Sequence, residues 1–142
     1  MQQVDVSEEV PLSADAVWAV IGNFFDLSPW ATIVVSTTRE DTPDGPVRIV
    51  ELPGKDGNVK VREKLVKEER YGHTFTIEGG TATARNYTCT TRVAPVDGGR
   101  CRIEYHATFD LAPGVTAEEA ASGLARFYKG NIKAMKRALK VA

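Results

Sequence analysis

Val59-Lys60-Val61-Arg62-Glu63-Lys64-Leu65-Val66 alternates with a period of two. Side chains of a strand point to opposite faces in turn, so Val59, Val61, Glu63 and Leu65 share one face while Lys60, Arg62 and Lys64 share the other. One face is therefore apolar except for a single acid. An ionised carboxylate among hydrophobes costs several kcal/mol, of the order of a buried ion's desolvation, unless it is paired or hydrated. Glu63 thus calls for a partner or a wet chamber. A purely structural ion pair, or a strand end open to water, is the alternative.

The same period runs from Thr32 to Phe109, broken where Gly and Pro cluster: Thr42-Pro43-Asp44-Gly45, Pro53 to Asn58, Gly79-Gly80 and Asp97-Gly98-Gly99. This predicts strands over 32–40, 46–52, 58–69, 72–79, 84–95 and 100–110. The short connections make them successive antiparallel neighbours. Val4, Val6 and Val10 supply a seventh strand at the amino end. Pro11-Leu12-Ser13 then opens a helix capped by Ser13, with Ala14, Val17, Trp18, Val20 and Ile21 as its buried stripe. Phe24, Phe25, Leu27 and Trp30 surround a second short helix or turn near Asp26-Leu27-Ser28-Pro29.

After Pro113-Gly114, Thr116 and Glu119 form a capping box that opens a long helix. Its apolar stripe is Ala120, Leu124, Phe127, Tyr128, Ile132, Met135, Ala138 and Leu139, with Asn131 inside it. Lys129, Lys133, Lys136, Arg137 and Lys140 occupy the solvent side. A basic amphipathic helix can lie on a membrane, but covering a sheet explains the stripe more simply. The expected fold is α+β: a curved seven-stranded antiparallel sheet wrapped around a long carboxyl-terminal helix, with two short helices after the first strand.

A chain of 142 residues, 42% hydrophobic and 26% charged, has the size and make-up of one domain spanning residues 1–142. A formal net charge of -1, with acids and bases interleaved, provides no basic stripe for nucleic acid and no polybasic segment for a membrane. Met1-Gln2-Gln3-Val4-Asp5 lacks a cationic, apolar leader, and no apolar run is long enough to span a bilayer. A cytoplasmic protein without integral membrane association is expected. Cys89 and Cys101 are too few for a zinc site and read as free thiols. No nucleophile elbow, phosphate-cradling glycine loop or metal-spaced cluster occurs, and no cofactor is expected.

The element order, together with Arg62-Glu63-Lys64-Leu65, Phe75-Thr76-Ile77-Glu78-Gly79-Gly80, Arg85-Asn86-Tyr87 and Asn131, resembles the START-like or helix-grip (SRPBCC) superfamily. Within it the chain resembles the polyketide cyclase/dehydrase and lipid-transport family, and it is similar in fold to plant abscisic acid receptors and birch-pollen-type allergens. The resemblance covers nearly the whole chain, and it implies a ligand cavity between sheet and helix. Carried over from the receptor branch, Glu63, Phe75, Ile77, Tyr87 and Asn131 match pocket-lining positions. Cys89 stands where that branch has a serine, and Tyr105 where it has a glutamate. The lysine that anchors the hormone carboxylate is replaced near Val34, the latch by Ala82-Thr83-Ala84, and the gate-like Leu52-Pro53-Gly54 loop is longer, so a plant-hormone receptor is not expected.

Strand parity, read without the resemblance, assembles a similar set. Arg48, Val50 and Leu52 share a face, as do His73, Phe75 and Ile77. Arg85, Tyr87, Cys89, Thr91 and Val93 form another such row, and so do Cys101, Ile103, Tyr105, Ala107 and Phe109. Arg48 is the expected partner of Glu63 on the neighbouring strand. The candidate ligand contacts are Phe75, Ile77, Tyr87, Cys89, Tyr105, Phe127 and Asn131. Such a set suits a hydrophobic small molecule of aromatic polyketide or lipid type. It also suits a polyketide cyclase or dehydratase in which Glu63 is the base and Arg48 holds it or polarises a carbonyl. A third expectation is a ligand-gated module whose loop around Pro53–Asn58 meets a protein partner. The residue list does not separate carrier, enzyme and module.

Overall fold

The computed structural model describes residues 1–142. Strand β1 (Gln2–Val10) leads into helix α1 (Ala14–Ile21), and six strands follow: β2 (Ser36–Thr42), β3 (Gly45–Leu52), β4 (Val59–Glu69), β5 (Gly72–Ile77), β6 (Ala84–Val96) and β7 (Arg100–Leu111). Helix α2 (Ala117–Leu139) ends the chain. The strands form one antiparallel sheet in the order β1-β7-β6-β5-β4-β3-β2. From β2 to β7 each strand lies beside its neighbour in sequence, and β1 closes the far edge on β7. This is the α+β helix-grip arrangement.

Both helices start where side-chain oxygens satisfy backbone N–H groups that the first turn leaves free. Ser13 Oγ accepts from Ala16 N at 3.2 Å, and Thr116 Oγ1 from Glu119 N at 3.1 Å. The second helical segment takes the form of turns: Asp26 Oδ1 accepts from the backbone of Ser28 at 3.0 Å, and Leu27 O accepts from Ala31 N at 2.8 Å. Turns continue past Thr32, so β2 begins at Ser36.

The core lies between the sheet and the two helices. Val4, Val6 and Val10 of β1, Ile103, Ala107 and Phe109 of β7, and Ala120, Ile132 and Met135 of α2 are all buried. Helix α2 packs closest on β1, β7 and α1. Cys89 and Cys101 are free and buried. No helix is long and apolar enough to cross a membrane.

One parity expectation is corrected. Arg85 does not share the inner face with Tyr87, because β6 carries a bulge between Arg85 and Thr88. Asn86 sits there at φ 51, a left-handed conformation that Asn tolerates better than most residues, and its Nδ2 donates to Asp110 Oδ2 at 2.8 Å. The extra residue turns Arg85 outward, where its guanidinium donates to Thr81 O at 2.6 Å. Ala84 takes the buried place.

Candidate functional site: a chamber between sheet and helix

Because α2 rests on the β1–β7 half of the sheet, space remains over β3, β4 and β5. That space is a cavity of about 340 Å³, bounded by all three strands, by α2, by the turns after α1 and by the Thr81–Thr83 loop. Of its 26 lining residues 18 are hydrophobic, so polar groups there are few and their placement matters.

One wall carries the ion pair. Register places Arg48 directly opposite Glu63, and Arg48 Nε donates to Glu63 Oε1 at 2.6 Å. Both side chains are withdrawn from solvent, at 8% and 13% exposure. Arg48 Nη1 also donates to the carbonyl oxygen of Phe24 at 3.0 Å. The guanidinium carbon lies 3.9 Å from the centroid of Phe24 and 5.0 Å from that of Phe75, so the cation also rests against two neighbouring aromatic rings. No bond within the chain uses Arg48 Nη2 or Glu63 Oε2. Beside the pair, His73 packs against Phe24 and Trp18 with ring centroids 5.0 and 5.5 Å away. Burial first, and the Arg48 charge second, push its pKa down to about 3, so the imidazole is neutral at ordinary pH.

The facing wall is phenolic. Tyr87 on β6 and Tyr128 on α2 join through their hydroxyls, and Tyr128 stacks on Tyr105 of β7 with centroids 4.7 Å apart. Asn131 Nδ2 donates to the Tyr105 hydroxyl at 3.3 Å. Burial is the main cause raising all three phenol pKa values, which keeps them protonated. They can give hydrogen bonds to an oxygen but do not act as phenolate bases.

Of the residues singled out in the sequence, Arg48, Glu63, Phe75, Ile77, Tyr87, Tyr105, Phe127 and Asn131 line this cavity. Phe127 does so from the rim and is 49% exposed. Cys89 does not line it. The thiol is fully buried behind the tyrosines, and burial pushes its pKa up to about 11. Tyr128, His73 and Trp30 also line the cavity, beyond the contacts that the sequence points to. For Tyr128 a signal existed: it precedes Asn131 by three positions on α2, and residues at that spacing share a helix face. Trp30 Nε1 is buried without a hydrogen-bond partner.

Comparison with known proteins places this geometry among others. The model of the family described as polyketide cyclase / dehydrase and lipid transport matches residues 1–140. The solved structure of XoxI from Bacillus cereus is 26% identical with a TM-score of 0.83, covering 98% of this chain and 96% of that one. The di-domain ARO/CYC StfQ from the steffimycin biosynthetic pathway is 15% identical with a TM-score of 0.73; the match covers 97% of this chain and 49% of that one. Ara h 8.0201 is 16% identical with a TM-score of 0.73, covering 97% of each chain. At those identities the last two show a shared fold alone. Among curated proteins none matches.

Proposed function

The chain belongs to the polyketide cyclase/dehydrase and lipid-transport family, and from that premise we propose that it binds a hydrophobic small molecule, aromatic polyketide-like or lipid, in the chamber between sheet and α2. The observation that carries the reading is the chamber's composition: about 340 Å³ of space with apolar walls and a small number of convergent polar groups. Apolar walls supply affinity through water exclusion, and Arg48, Glu63, Tyr105 and Asn131 supply orientation. Native against denaturing mass spectrometry of freshly purified protein tests it, followed by titration with the released compound. A retained hydrophobic molecule that rebinds the emptied protein supports the reading. Protein that carries nothing, and takes up no apolar aromatic or acyl compound at millimolar concentration, rules it out.

A second reading is favoured by the free Glu63 Oε2 and the phenols opposite. Cyclisation or dehydration of a polyketone needs a base to remove an acidic α-proton and donors to hold the resulting enolate oxygen. In a cyclase or dehydratase Glu63 would take the proton, and Tyr87, Tyr105, Tyr128 or Asn131 would stabilise the oxyanion. Glu63→Gln then lowers turnover by roughly 10²–10⁴-fold with ligand affinity retained, the scale of a general base. Unchanged turnover in that variant removes Glu63 from the chemistry.

A further inference from the structure

Within the chamber the only formally charged residues are Arg48 and Glu63, and each is the other's partner. Resting on the binding function proposed above, we infer that the chamber selects an uncharged ligand presenting a carbonyl or hydroxyl group to this pair, and rejects a carboxylate of the same shape.

The argument starts from charge balance. Arg48 spends Nε on Glu63 and one hydrogen of Nη1 on the Phe24 carbonyl, and the rings of Phe24 and Phe75 lie 3.9 and 5.0 Å from its guanidinium carbon. What remains for a ligand is Nη2 and the second hydrogen of Nη1 as donors, and Oε2 of the paired Glu63 as an acceptor. A ketone can accept from Nη2, and an enol or phenol can accept from Nη2 while donating to Oε2, with no change in the net charge of the chamber. A carboxylate entering the same place meets a cation already neutralised and lies against the free oxygen of Glu63. It leaves the chamber with an uncompensated negative charge in a low-dielectric space. No other lysine or arginine lines the chamber. His73 is neutral there because its pKa lies at about 3. Asn131 and the three tyrosines offer only neutral donors. Arg126, Lys133 and Arg137 line a groove that adjoins the chamber at Trp30, Phe127 and Asn131, but none of the three lines the chamber itself, and in that open groove salt screens them.

The test uses two isosteric probes, 2-acetonaphthone and 2-naphthoate, titrated by calorimetry at neutral pH and physiological salt into wild-type protein and into Glu63→Gln. In wild type the ketone binds at least tenfold more tightly than the carboxylate. Glu63→Gln frees the Arg48 charge, and the preference shifts by at least tenfold toward the carboxylate. Equal or tighter binding of naphthoate to wild type overturns the inference and leaves the binding function standing. If Glu63→Gln does not fold, the wild-type ratio alone decides. If neither probe binds wild type, the inferred selectivity for a carbonyl at this pair falls, while the binding function is decided by the mass-spectrometric test above.

Discussion

Arg48 and Glu63 illustrate how a single residue's cost is set by its partner. Removing one member of a buried ion pair strands the other, which typically costs about 3–5 kcal/mol, whereas replacing both with apolar residues is often close to neutral. Arg48→Met is therefore expected to destabilise the protein by that amount, and Arg48→Met with Glu63→Leu by much less than the two single changes added together. Denaturant unfolding of the four proteins in a double-mutant cycle measures this, and additive losses would show that the pair is not coupled. His73 makes a second residue-scale case, with a sign fixed by its lowered pKa. Above pH 6.5 the ring is neutral in folded and unfolded chains alike and contributes no pH dependence. Between its ordinary value of 6.5 and its folded value of about 3, the unfolded chain binds a proton that the native chain refuses. Stability therefore falls as the pH drops through that window and levels off below it, by at most about 1.4 kcal/mol per pH unit for one proton. The stability difference between wild type and His73→Gln, followed by denaturant unfolding from pH 7 to pH 4, isolates this slope. A pH-independent difference would mean that the imidazole is hydrated and titrates normally.

Helix α2 both covers the sheet and walls the chamber, and its two glycines separate these duties. A Cβ at Gly123 or Gly130 meets nothing within 4 Å, yet Gly123 lines the chamber and Gly130 the outer groove. Glycine within a helix costs about 0.5–1 kcal/mol relative to alanine. Gly130→Ala should raise stability by that amount and leave ligand affinity unchanged. Gly123→Leu should also improve the helix while pushing a side chain into the chamber, weakening binding at least tenfold. Thermal unfolding and calorimetry on both variants check this, and undiminished binding by Gly123→Leu would place the ligand elsewhere. At this scale the chain is also most readable from its sequence. Strand alternation, glycine turns and the Ser13 and Thr116 caps are local signals, and they locate the elements to within a few residues. What escapes is whatever a regular pattern hides. The bulge at Asn86 shifts the phase of β6 without altering its composition, so Arg85 reads as an inward residue although the structure turns it out. Tyr128 sits in an apolar stripe and reads as packing. Its hydroxyl acquires a role only when β6 brings Tyr87 across from it, a contact between residues 41 apart that no local spacing encodes.

Across the whole molecule, the chamber exists because one helix grips a sheet wider than itself. Helix α2 packs on β1 and β7, and β3 to β5 extend past it, so inner side chains of those strands border the chamber instead of the helix. Empty apolar space forgoes dispersion contacts that a well-packed core would make. A ligand of matching shape restores them, and it does so only in the folded state, since the chamber requires β3, β4, β5, β6 and α2 together. Binding must therefore appear as added stability. At a concentration a hundredfold above its dissociation constant, a ligand adds about 2.7 kcal/mol, which in a chain near this length corresponds to a rise in Tm of roughly 5–10 °C. We expect 2-acetonaphthone at that level to produce such a shift in wild type and in Gly130→Ala. Gly123→Leu, bound at least tenfold more weakly at the same probe concentration, should gain about 1.4 kcal/mol at most, so its shift falls to about half that of wild type or less. Calorimetric binding with no thermal shift in wild type would mean that the probe engages the unfolded chain as well. An undiminished shift in Gly123→Leu would move the site out of the space between sheet and helix, because no ligand can occupy volume that a leucine side chain already holds.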